Sequence, residues 1–384
     1  MKRIAHYYPW IYLRSGVERM ILEVLRRSRH RYTVFTNHLD YEQTFPEFRD
    51  VTDLIELKHV SVRRSLGPAL AAAITIFQQK LPLAGFDALL VSSEGLGDLI
   101  TFRNDSLPIV AYCHNLARPV YDATYRASLV AGRPHLRWSL PVFEPPYRVL
   151  TRLAWRRYRR VFANSRHTRD EILRNGLCAA KTVEVLHPGV DLARIQRSDG
   201  SEPFFLYAGR IKWWKNVELA VQAFLAFRAE TANRNWSLVV AGEVDQGSKE
   251  YLRRLQELAS GDDSIVYRVN PSRDELENLY SRCYALLFPS FNEPWGIVPL
   301  EAMAFGKPVV AVNRGGPTES VVDGETGFLV EPNPSAFAAR MAWLVQRPAD
   351  ARRMGQAGSD RAQAYSWDAF VGRLDDYLED GLQA

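Results

Sequence analysis

The sequence predicts an α/β protein built from two doubly wound, Rossmann-like domains that face each other across a cleft. Its 384 residues exceed the usual size of a single domain. Short apolar segments alternate with longer amphipathic ones in both halves, which is typical of parallel sheets covered by helices. A polar break, RSDGSEP at 197–203, separates the two series. We therefore predict a first domain at 1–198, a second at 199–365, and a C-terminal helix at 366–384 that packs back toward the first domain.

The elements follow in chain order. The first series begins with the strand RIAHYY and the helix VERMILEVLRRS, and continues with the strands RYTVFT, DALLVSS, PIVAYCH, RVFANS and VEVLHPG. The second series has the strands FFLYAGR, SLVVAG, SIVYRV, ALLFPS, KPVVAV and GFLV, with helices at NVELAVQAFLAFRAE, KEYLRRLQELA, SRDELENLYSR and near 297–305. Ligands of such folds bind at the carboxyl ends of the strands, so we expect the functional residues in the loops there.

The composition excludes several classes of protein. Three scattered cysteines, Cys113, Cys178 and Cys283, form neither a disulfide framework nor a zinc site, which fits a reducing compartment. The start, MKRIAHYYPW, lacks the apolar core of a signal peptide, and the apolar run at 66–77 is too short to span a bilayer. A cytoplasmic location is therefore expected. The net charge of +5 favours acidic partners such as phosphates or anionic lipid, and no nucleic-acid-binding module is recognised.

The stretch NEPWGIVPLEAMAFGKPVV at 292–310 places two carboxylates among apolar residues. A helix should begin near Ile297, with Pro299 in its first turn, where proline is tolerated. The free N–H groups of that turn form an anion site, with Glu293 just before it and Glu301 just inside the helix. A phosphate between hydroxyl-rich sugars, as in a nucleoside diphosphate sugar, matches this pattern. The alternative is that Glu301 only faces the helix dipole and Glu293 is solvated.

A second motif, YAGRIKWWKNV at 207–217, supports the phosphate interpretation. Arg210 and Lys215 fall in the loop after the first strand of the second half, where two cations suit a diphosphate. A basic surface loop is the alternative. No DxD metal motif is visible, so we expect no metal, and the two cations would do its work.

These stretches resemble the retaining family 4 glycosyltransferases, which have the GT-B fold. The segment from FNEPWG to GETGFLV is similar to the E-x7-E signature of that family and the pattern downstream of it. AGRIKWWKN is similar to its R-x4-K motif, and ANSRHTRDEIL and VLHPGVD to its strand-end and interdomain pieces. The resemblance covers nearly the whole second half and several points of the first.

The resemblance implies roles for residues at the matching positions. Arg210 and Lys215 would hold the diphosphate, Glu293 the hydroxyls of the donor sugar, and Glu301 the ribose. The backbone N–H groups of Trp295, Gly296 and Ile297 would reach sugar or phosphate. The base would contact the main chain near Arg268 and Val269, although the usual glycine is missing there, and Gly242 would line the same wall.

The first half carries a weaker similarity to the family. YLRSGVERMILEV resembles its glycine-rich loop, which often has two glycines; Ser15 replaces the first of them, and Gly16 remains. YCHN places His114 at a strand end, as in members where such a histidine lies near the donor sugar. We therefore assign His114, Arg210, Lys215 and Glu293 as the catalytic set and the other named residues as donor-binding.

The segment 133–160 contains eight arginines and one glutamate. Arg148, Arg152, Arg156 and Arg160 recur every four residues, which predicts one face of a basic amphipathic helix. Such a helix could lie on anionic lipid, and a solvated helix face is the alternative.

The predicted function is retaining transfer of a hexose from a sugar nucleotide to a glycan or lipid-linked glycan acceptor, with no other cofactor. AYCHNLARPVYDATY at 111–125 resembles the mannosyltransferase branch, which implies GDP-mannose and surface polysaccharide synthesis. A UDP-hexose donor is the next alternative, followed by an epimerase or phosphorylase of the same architecture and by an inactive sugar-nucleotide-binding protein. A dehydrogenase is disfavoured because no G-x-G-x-x-G follows the first strand.

Overall fold

The structure is a computed structural model that describes residues 1–63, 65–132, 136–195, 200–230, 235–259 and 261–382. The chain divides into two units, Met1–Pro188 with Trp367–Ala384, and Gly189–Ser366. The division precedes the boundary placed at 198 by sequence, because the Val190 N–H donates to the Tyr365 carbonyl (2.8 Å) and so joins this segment to the second unit. Residues 197–199 of the expected linker and 133–135 of the arginine-rich segment lie outside the described residues.

The first unit is built on a seven-stranded sheet in the order β5-β3-β1-β6-β7-β8-β9, with the paired strands parallel. A separate two-stranded parallel pair is formed by β2 and β4. The strands are β1 Arg3–Tyr7, β2 Trp10–Ile11, β3 Arg31–Thr36, β4 His38–Leu39, β5 Leu54–Glu56, β6 Ala88–Glu94, β7 Ile109–Asn115, β8 Tyr158–Ala163 and β9 Val183–Val185.

The helices of this unit cover the sheet. They are α1 Gly16–Arg27, α2 Leu66–Gln78, α3 Arg118–Tyr121, α4 Ala123–Gly132, α5 Leu136–Trp155, α6 Arg166–Arg174 and, from the C-terminus, α14 Trp367–Asp376. Short 3-10 segments lie at Pro46–Asp50, Gly95–Arg103 and Ala180–Thr182, and a π-helical turn at Tyr377–Gly381. Helix α14 packs against α1, where Asp368 pairs with Arg27 and Asp375 accepts from Ser28.

The second unit has a six-stranded sheet in the order β12-β11-β10-β13-β14-β15, with the paired strands parallel. The strands are β10 Phe204–Ala208, β11 Ser237–Gly242, β12 Ile265–Val269, β13 Ala285–Phe288, β14 Val309–Val312 and β15 Gly327–Val330. The helices are α7 Val217–Glu230, α8 Lys249–Leu258, α9 Arg273–Arg282, α10 Ile297–Ala304, α11 Pro317–Ser320, α12 Pro334–Gln346 and α13 Pro348–Ala362. Further 3-10 segments lie at Leu192–Arg194, Trp213–Lys215 and Gln246–Ser248.

Successive residues of β10 show why this second sheet is buried on both faces. Phe205 and Tyr207 enter the core beneath α7 and α12, whereas Phe204 and Leu206 enter the core beneath α10. A strand buried on both faces reads as a continuous apolar run, which is how FFLYA appears in the sequence. The two parallel, doubly wound α/β halves predicted from the sequence are thereby confirmed.

In each sheet the strand order reverses beside the first strand of the unit. The reversal lies between β1 and β6 in the first sheet and between β10 and β13 in the second. Ligands of open α/β sheets bind at the carboxyl ends of the strands that flank such a point. The loops after β10 and β13, which carry Arg210, Lys215 and Glu293, are therefore at the expected ligand position of the second unit.

Candidate functional site

The N-terminus of α10 has the geometry expected from the sequence. The helix begins at Ile297, and Gly296 precedes it with φ +86°, a left-handed conformation that suits glycine. Glycine has no side chain that could accept a hydrogen bond from the first turn, and Pro299 has no N–H to donate. The remaining N–H groups of this turn, at the positive end of the helix dipole, suit an anion.

Glu293 is held by two donors in the loop before α10. Lys215 Nζ donates to Glu293 Oε2 at 2.6 Å, and Ser290 Oγ donates to the same oxygen at 2.8 Å. The Lys215 and Glu293 side chains are only 16% and 15% exposed. Glu293 is therefore not a solvated surface acid. The sequence placed both residues in the site but did not predict this ion pair.

Arg210 follows β10 in the loop opened by Gly209, whose φ is +134°. Its carbonyl accepts from Tyr207 Oη at 3.0 Å, which fixes the backbone of the loop. Among the described residues, the Arg210 guanidinium has no hydrogen bond or ion pair. Burial raises the pKa of Tyr207 well above its usual value, and the Glu293 charge adds to this rise while the Arg210 charge opposes it. Within the described residues, the Arg210 side chain is thus a cation of this loop that no hydrogen bond or ion pair engages.

Two asparagines with left-handed backbone conformations shape the same loops. Asn216 has φ +52° and its Nδ2 donates to the Pro289 carbonyl at 3.2 Å, which ties the loop after β10 to the loop after β13. Asn292 has φ +46° in the turn before Glu293. Asparagine tolerates this conformation better than most residues, so these positions carried a sequence signal that was not used.

Three glycines let the backbones of neighbouring loops touch. A Cβ at Gly242 would lie 1.8 Å from the Gly209 carbonyl oxygen, and one at Gly316 would lie 2.2 Å from the Trp295 oxygen. A Cβ at Gly315 would lie 2.5 Å from the Glu293 oxygen, which also accepts from the Gly316 N–H at 2.7 Å. Gly242 therefore supports the Arg210 loop by close packing, and Gly315 and Gly316 support the Glu293 loop.

Glu301 lies in the second turn of α10, as expected, and is partly exposed. Tyr280 Oη donates to Glu301 Oε2 at 2.9 Å, and the Tyr280 ring stacks on Phe305 with centroids 5.7 Å apart. Burial, then the Glu301 charge, raises the pKa of Tyr280 well above its usual value, so this tyrosine stays a donor. The Glu301 carboxylate is thereby held in a fixed orientation by a neutral donor.

The remaining predicted donor residues of this unit have different surroundings. Trp295 is buried and its ring lies 5.3 Å from that of Tyr365, so its side chain serves packing. Arg268 and Val269 end the edge strand β12 and are exposed, and Val269 is paired with Gly242 across the ladder. The ligand contacts of these main chains stay predictions.

Gly16 is the first residue of α1 in the first unit. A Cβ there would meet no atom within 4 Å, so the fold of this unit does not itself require glycine. Ser15, which replaces the first of the two glycines that the family often has here, caps α1 by accepting from the Val17 N–H at 3.3 Å. Glu18 accepts from Ser15 Oγ and from the Leu13 N–H (3.2 Å), which fixes the loop. Burial raises the pKa of Glu18 to about 7.

His114 lies at the carboxyl end of β7 and is buried. Its Nε2 is 3.3 Å from Ser92 Oγ, which is 2.9 Å from Nε2 of His6. Burial, and secondarily the charge of His6, lowers the pKa of His114 to about 3. The ring is therefore neutral near pH 7 and suited to hydrogen bonding rather than to taking up a proton.

The arginine face predicted at 148–160 is wrong as a single helix face. Helix α5 ends at Trp155, so Arg156 lies in a turn and Arg160 lies on strand β8. Arg148 is engaged within the unit, donating to Glu144 Oε1 (2.8 Å) and to the Val120 carbonyl (2.7 Å). Trp155 Nε1 at the end of the helix and Tyr158 Oη at the start of β8 both donate to one buried carboxylate, Asp98, which holds these two ends together.

Two kinds of feature are absent from the described residues. Within them, no group of three or more His, Cys, Asp or Glu side chains is placed to hold a metal ion. None of the helices in the described ranges combines the length and apolarity needed to cross a membrane.

Two family models match consecutive parts of the chain. Residues 14–194 match the model of Glycosyltransferase Family 4, and residues 191–361 match that of Glycosyl transferases group 1. Together with the two parallel sheets, these matches define the class of protein as a glycosyltransferase of GT-B fold. The chain belongs to the family 4 glycosyltransferases.

Relatives and a solved structure agree with this class. The chain is 26% identical over 390 residues to alpha-1,3/1,6-mannosyltransferase ALG2 of Mus musculus, covering 95% of this chain and 93% of that protein. It is 31% identical over 243 residues to D-inositol 3-phosphate glycosyltransferase of Streptomyces avermitilis, covering 59% of this chain and about half (52%) of that relative. Anabaena Alr3699/HepE in complex with UDP and glucose is 17% identical with a TM-score of 0.78, covering 99% of this chain and 100% of HepE, which shows the fold alone.

Proposed function

We propose that this glycosyltransferase works in the cytoplasm and transfers mannose from GDP-mannose to a glycan or lipid-linked glycan acceptor in cell-surface polysaccharide synthesis. We further propose that the anomeric configuration is retained and that no metal is needed. The observation that carries the proposal is the Lys215–Glu293 ion pair, which lies beside the Arg210 loop and the α10 N-terminus at the switch point of the second sheet.

Each group in this arrangement suits one part of a sugar nucleotide. The N–H groups of the α10 first turn and the Arg210 guanidinium offer donors to a diphosphate. Glu293, already oriented by Lys215 and Ser290, can accept from sugar hydroxyls, and Glu301, oriented by Tyr280, can accept from a ribose. In this assignment Lys215 serves both the diphosphate and Glu293.

The proposed reaction replaces one glycosidic bond by another. The bond between the sugar C1 and the diphosphate oxygen breaks, and its electron pair leaves with the nucleoside diphosphate. The acceptor hydroxyl oxygen bonds to C1 from the same face, and its proton passes to a diphosphate oxygen. Arg210 and Lys215 stabilise the charge that develops on the leaving group, which is where preorganised donors act most strongly. The neutral His114 would offer a hydrogen bond to the donor sugar.

The most specific part of the proposal is the identity of the sugar nucleotide that donates the sugar. Mannosyl transfer is supported by the mannosyltransferase named above, whose similarity extends over nearly the whole chain. UDP-hexose is the second candidate, since HepE holds UDP and glucose and has the same fold. The base would contact the main chain of Arg268 and Val269 at the end of β12, so their side chains do not select it.

The test combines nucleotide binding with turnover. Calorimetric titration with GDP, UDP and ADP should show tight binding of GDP alone, and GDP-mannose should be consumed in preference to UDP-hexoses. Binding of UDP without GDP would replace the donor and leave the transferase assignment standing. Binding without hydrolysis or transfer of any donor would favour an inactive sugar-nucleotide-binding protein. Loss of activity in EDTA that magnesium restores would contradict metal independence.

A further inference from the structure

Helix α5 carries an exposed apolar stripe that no part of the proposed reaction uses. Trp138 is 79% exposed, Val142 67% and Val149 54%, and Leu153 is 41% exposed. These four residues are separated by four, seven and four positions, which places them on one helical face. Ala154 and Trp155, on the opposite face, are buried. The helix therefore packs on its unit with one side and presents a second apolar side outward.

Helix α2 adds a shorter stripe of the same kind. Leu66, Leu70 and Ile74, spaced four residues apart, are 38%, 53% and 49% exposed. Of the thirteen large hydrophobic residues exposed in the described part of the chain, nine lie on α2 or α5. Isolated exposed hydrophobic residues are ordinary, but a concentration on two helices marks an interaction surface.

The two stripes belong to the same side of the first sheet. The chain crosses from β5 to β6 and from β7 to β8 in the same direction, so right-handed connections place α2 and α5 on one face. Both helices pack against the 3-10 segment Gly95–Arg103, α2 through Phe77 on Phe102 (4.9 Å) and α5 through Trp155 on Asp98 (2.9 Å). We call this surface the α2/α5 apolar face, defined by Leu66, Leu70, Ile74, Trp138, Val142, Val149 and Leu153.

The two chain segments that form this face carry mostly positive charges. Residues 57–86, which contain α2, hold four lysines and arginines and no acid. Residues 123–160, which contain α5, hold nine arginines and one acid, Glu144, which is engaged by Arg126 and Arg148. Arg137, Arg152 and Arg156 are exposed close to the stripe in sequence. A helix that lies in the interface of an anionic bilayer typically combines exposed apolar side chains, tryptophan among them, with neighbouring cations.

We infer that the α2/α5 apolar face docks on the surface of an anionic lipid bilayer. Apolar residues of α5 and α2 enter the boundary between headgroups and acyl chains, while the surrounding arginines and lysines contact the headgroup phosphates. This differs from the arginine-face hypothesis, because the apolar stripe supplies the insertion and the cations supply attraction. The inference does not depend on the donor or the acceptor of the proposed reaction.

The experiment is vesicle co-sedimentation of the full chain without substrates. Wild type should bind vesicles of phosphatidylcholine with phosphatidylglycerol, and more weakly vesicles of phosphatidylcholine alone. Trp138→Gln with Val142→Gln should lower partitioning roughly tenfold, since both lose their apolar contact with lipid. Ile55→Gln, at a residue 41% exposed on β5 of the same unit, is the matched control and should bind like wild type.

Two further measurements distinguish lipid insertion from a loss of folding. The melting temperature of the double variant should equal that of wild type, because both side chains already face solvent. Brominated lipid should quench the fluorescence of wild type more than that of Trp138→Phe, which reports insertion directly. Unchanged vesicle binding in the double variant would overturn the inference. A dimer in sedimentation velocity that the same substitutions dissociate, without vesicle binding, would assign the face to a second copy of the chain and would also overturn it.

Discussion

Replacing Lys215 and Arg210 separately by alanine should separate a residue that serves both folding and chemistry from one that serves chemistry alone. Lys215 donates to Glu293 Oε2 at 2.6 Å, and both side chains are about 15% exposed (16% and 15%). Lys215→Ala removes this charged donor from Glu293 Oε2, while the hydrogen bond from Ser290 Oγ to the same oxygen is kept. The Arg210 guanidinium has no such partner among the described residues, so Arg210→Ala leaves no buried charge behind.

The expected magnitudes follow from these contacts. A hydrogen bond between charged groups contributes about 1.5–3 kcal/mol, so Lys215→Ala should lower the free energy of unfolding by about 2 kcal/mol. For a unit of this size, that corresponds to a fall in melting temperature of about 6 °C. Arg210→Ala should change the melting temperature by no more than about 1 °C. Turnover should fall at least about tenfold in both variants, because each loses a contact that strengthens as the diphosphate leaves.

The assay pairs calorimetric melting with product formation at saturating donor. Lys212→Ala is the matched control, because Lys212 lies in the same loop but pairs with Asp245 instead of Glu293. It should retain turnover within about twofold. A double-mutant cycle of Lys215→Met with Glu293→Gln should return a coupling free energy of about 1.5–3 kcal/mol. Wild-type melting in Lys215→Ala, or an equal loss of stability in Arg210→Ala, would refute this reasoning.

Three further predictions concern the remaining site residues. Gly316→Ala should lower both melting temperature and turnover, because its Cβ would lie 2.2 Å from a carbonyl oxygen, whereas Gly16→Ala should leave the melting temperature unchanged and raise the donor KM. The unfolding free energy should fall by up to about 3 kcal/mol as pH rises from about 4.5 to about 7, because Glu18 keeps its proton in the folded state (pKa about 7) and loses it in the unfolded chain. Urea titrations at several pH values should show this fall in wild type and lack this component in Glu18→Gln. The pH profile of kcat/KM should show no inflection from His114 near neutral pH, because the pKa of its ring is about 3. An inflection at about pH 6.5 that His114→Gln abolishes would contradict a neutral His114.

Local signals in the sequence predicted the longer strands of both sheets and the positions of the loops, but not the short strands β2, β4 and β5. Alternating apolar and amphipathic segments predicted both sheets, and proline and glycine spacing predicted the start of α10 at Ile297. The contact between Lys215 and Glu293 was not predictable, because it joins residues 78 positions apart and depends on β10 and β13 being neighbours. Sequence spacing alone carries no information on which loops of a sheet are adjacent.

The misplaced arginine helix has a different cause. A period of four from Arg148 to Arg160 fits a helix, yet the chain changes to strand β8 at Tyr158. Asp98 is buried and lies 60 positions before Tyr158 in the chain. It accepts hydrogen bonds from both Trp155 and Tyr158, and this holds the end of the helix and the start of the strand together. An unpaired buried carboxylate would be costly, so satisfying Asp98 outweighs continuing a solvated helical face.

The glycines of the two units show how fold requirements and ligand requirements can be separated. Gly242 and Gly316 admit no Cβ because backbone oxygens lie within 2.2 Å of it, so the packing of the protein alone explains them. Gly16 has open space where a Cβ would be, at a helix N-terminus beside the switch point of the first sheet. A glycine that the protein's own packing does not demand leaves room for a close approach by something else, and at a helix N-terminus that approach suits an anion. The packing of the protein thus explains Gly242 but not Gly16, although the sequence pattern marked both alike, and the ligand contact of Gly16 stays a prediction.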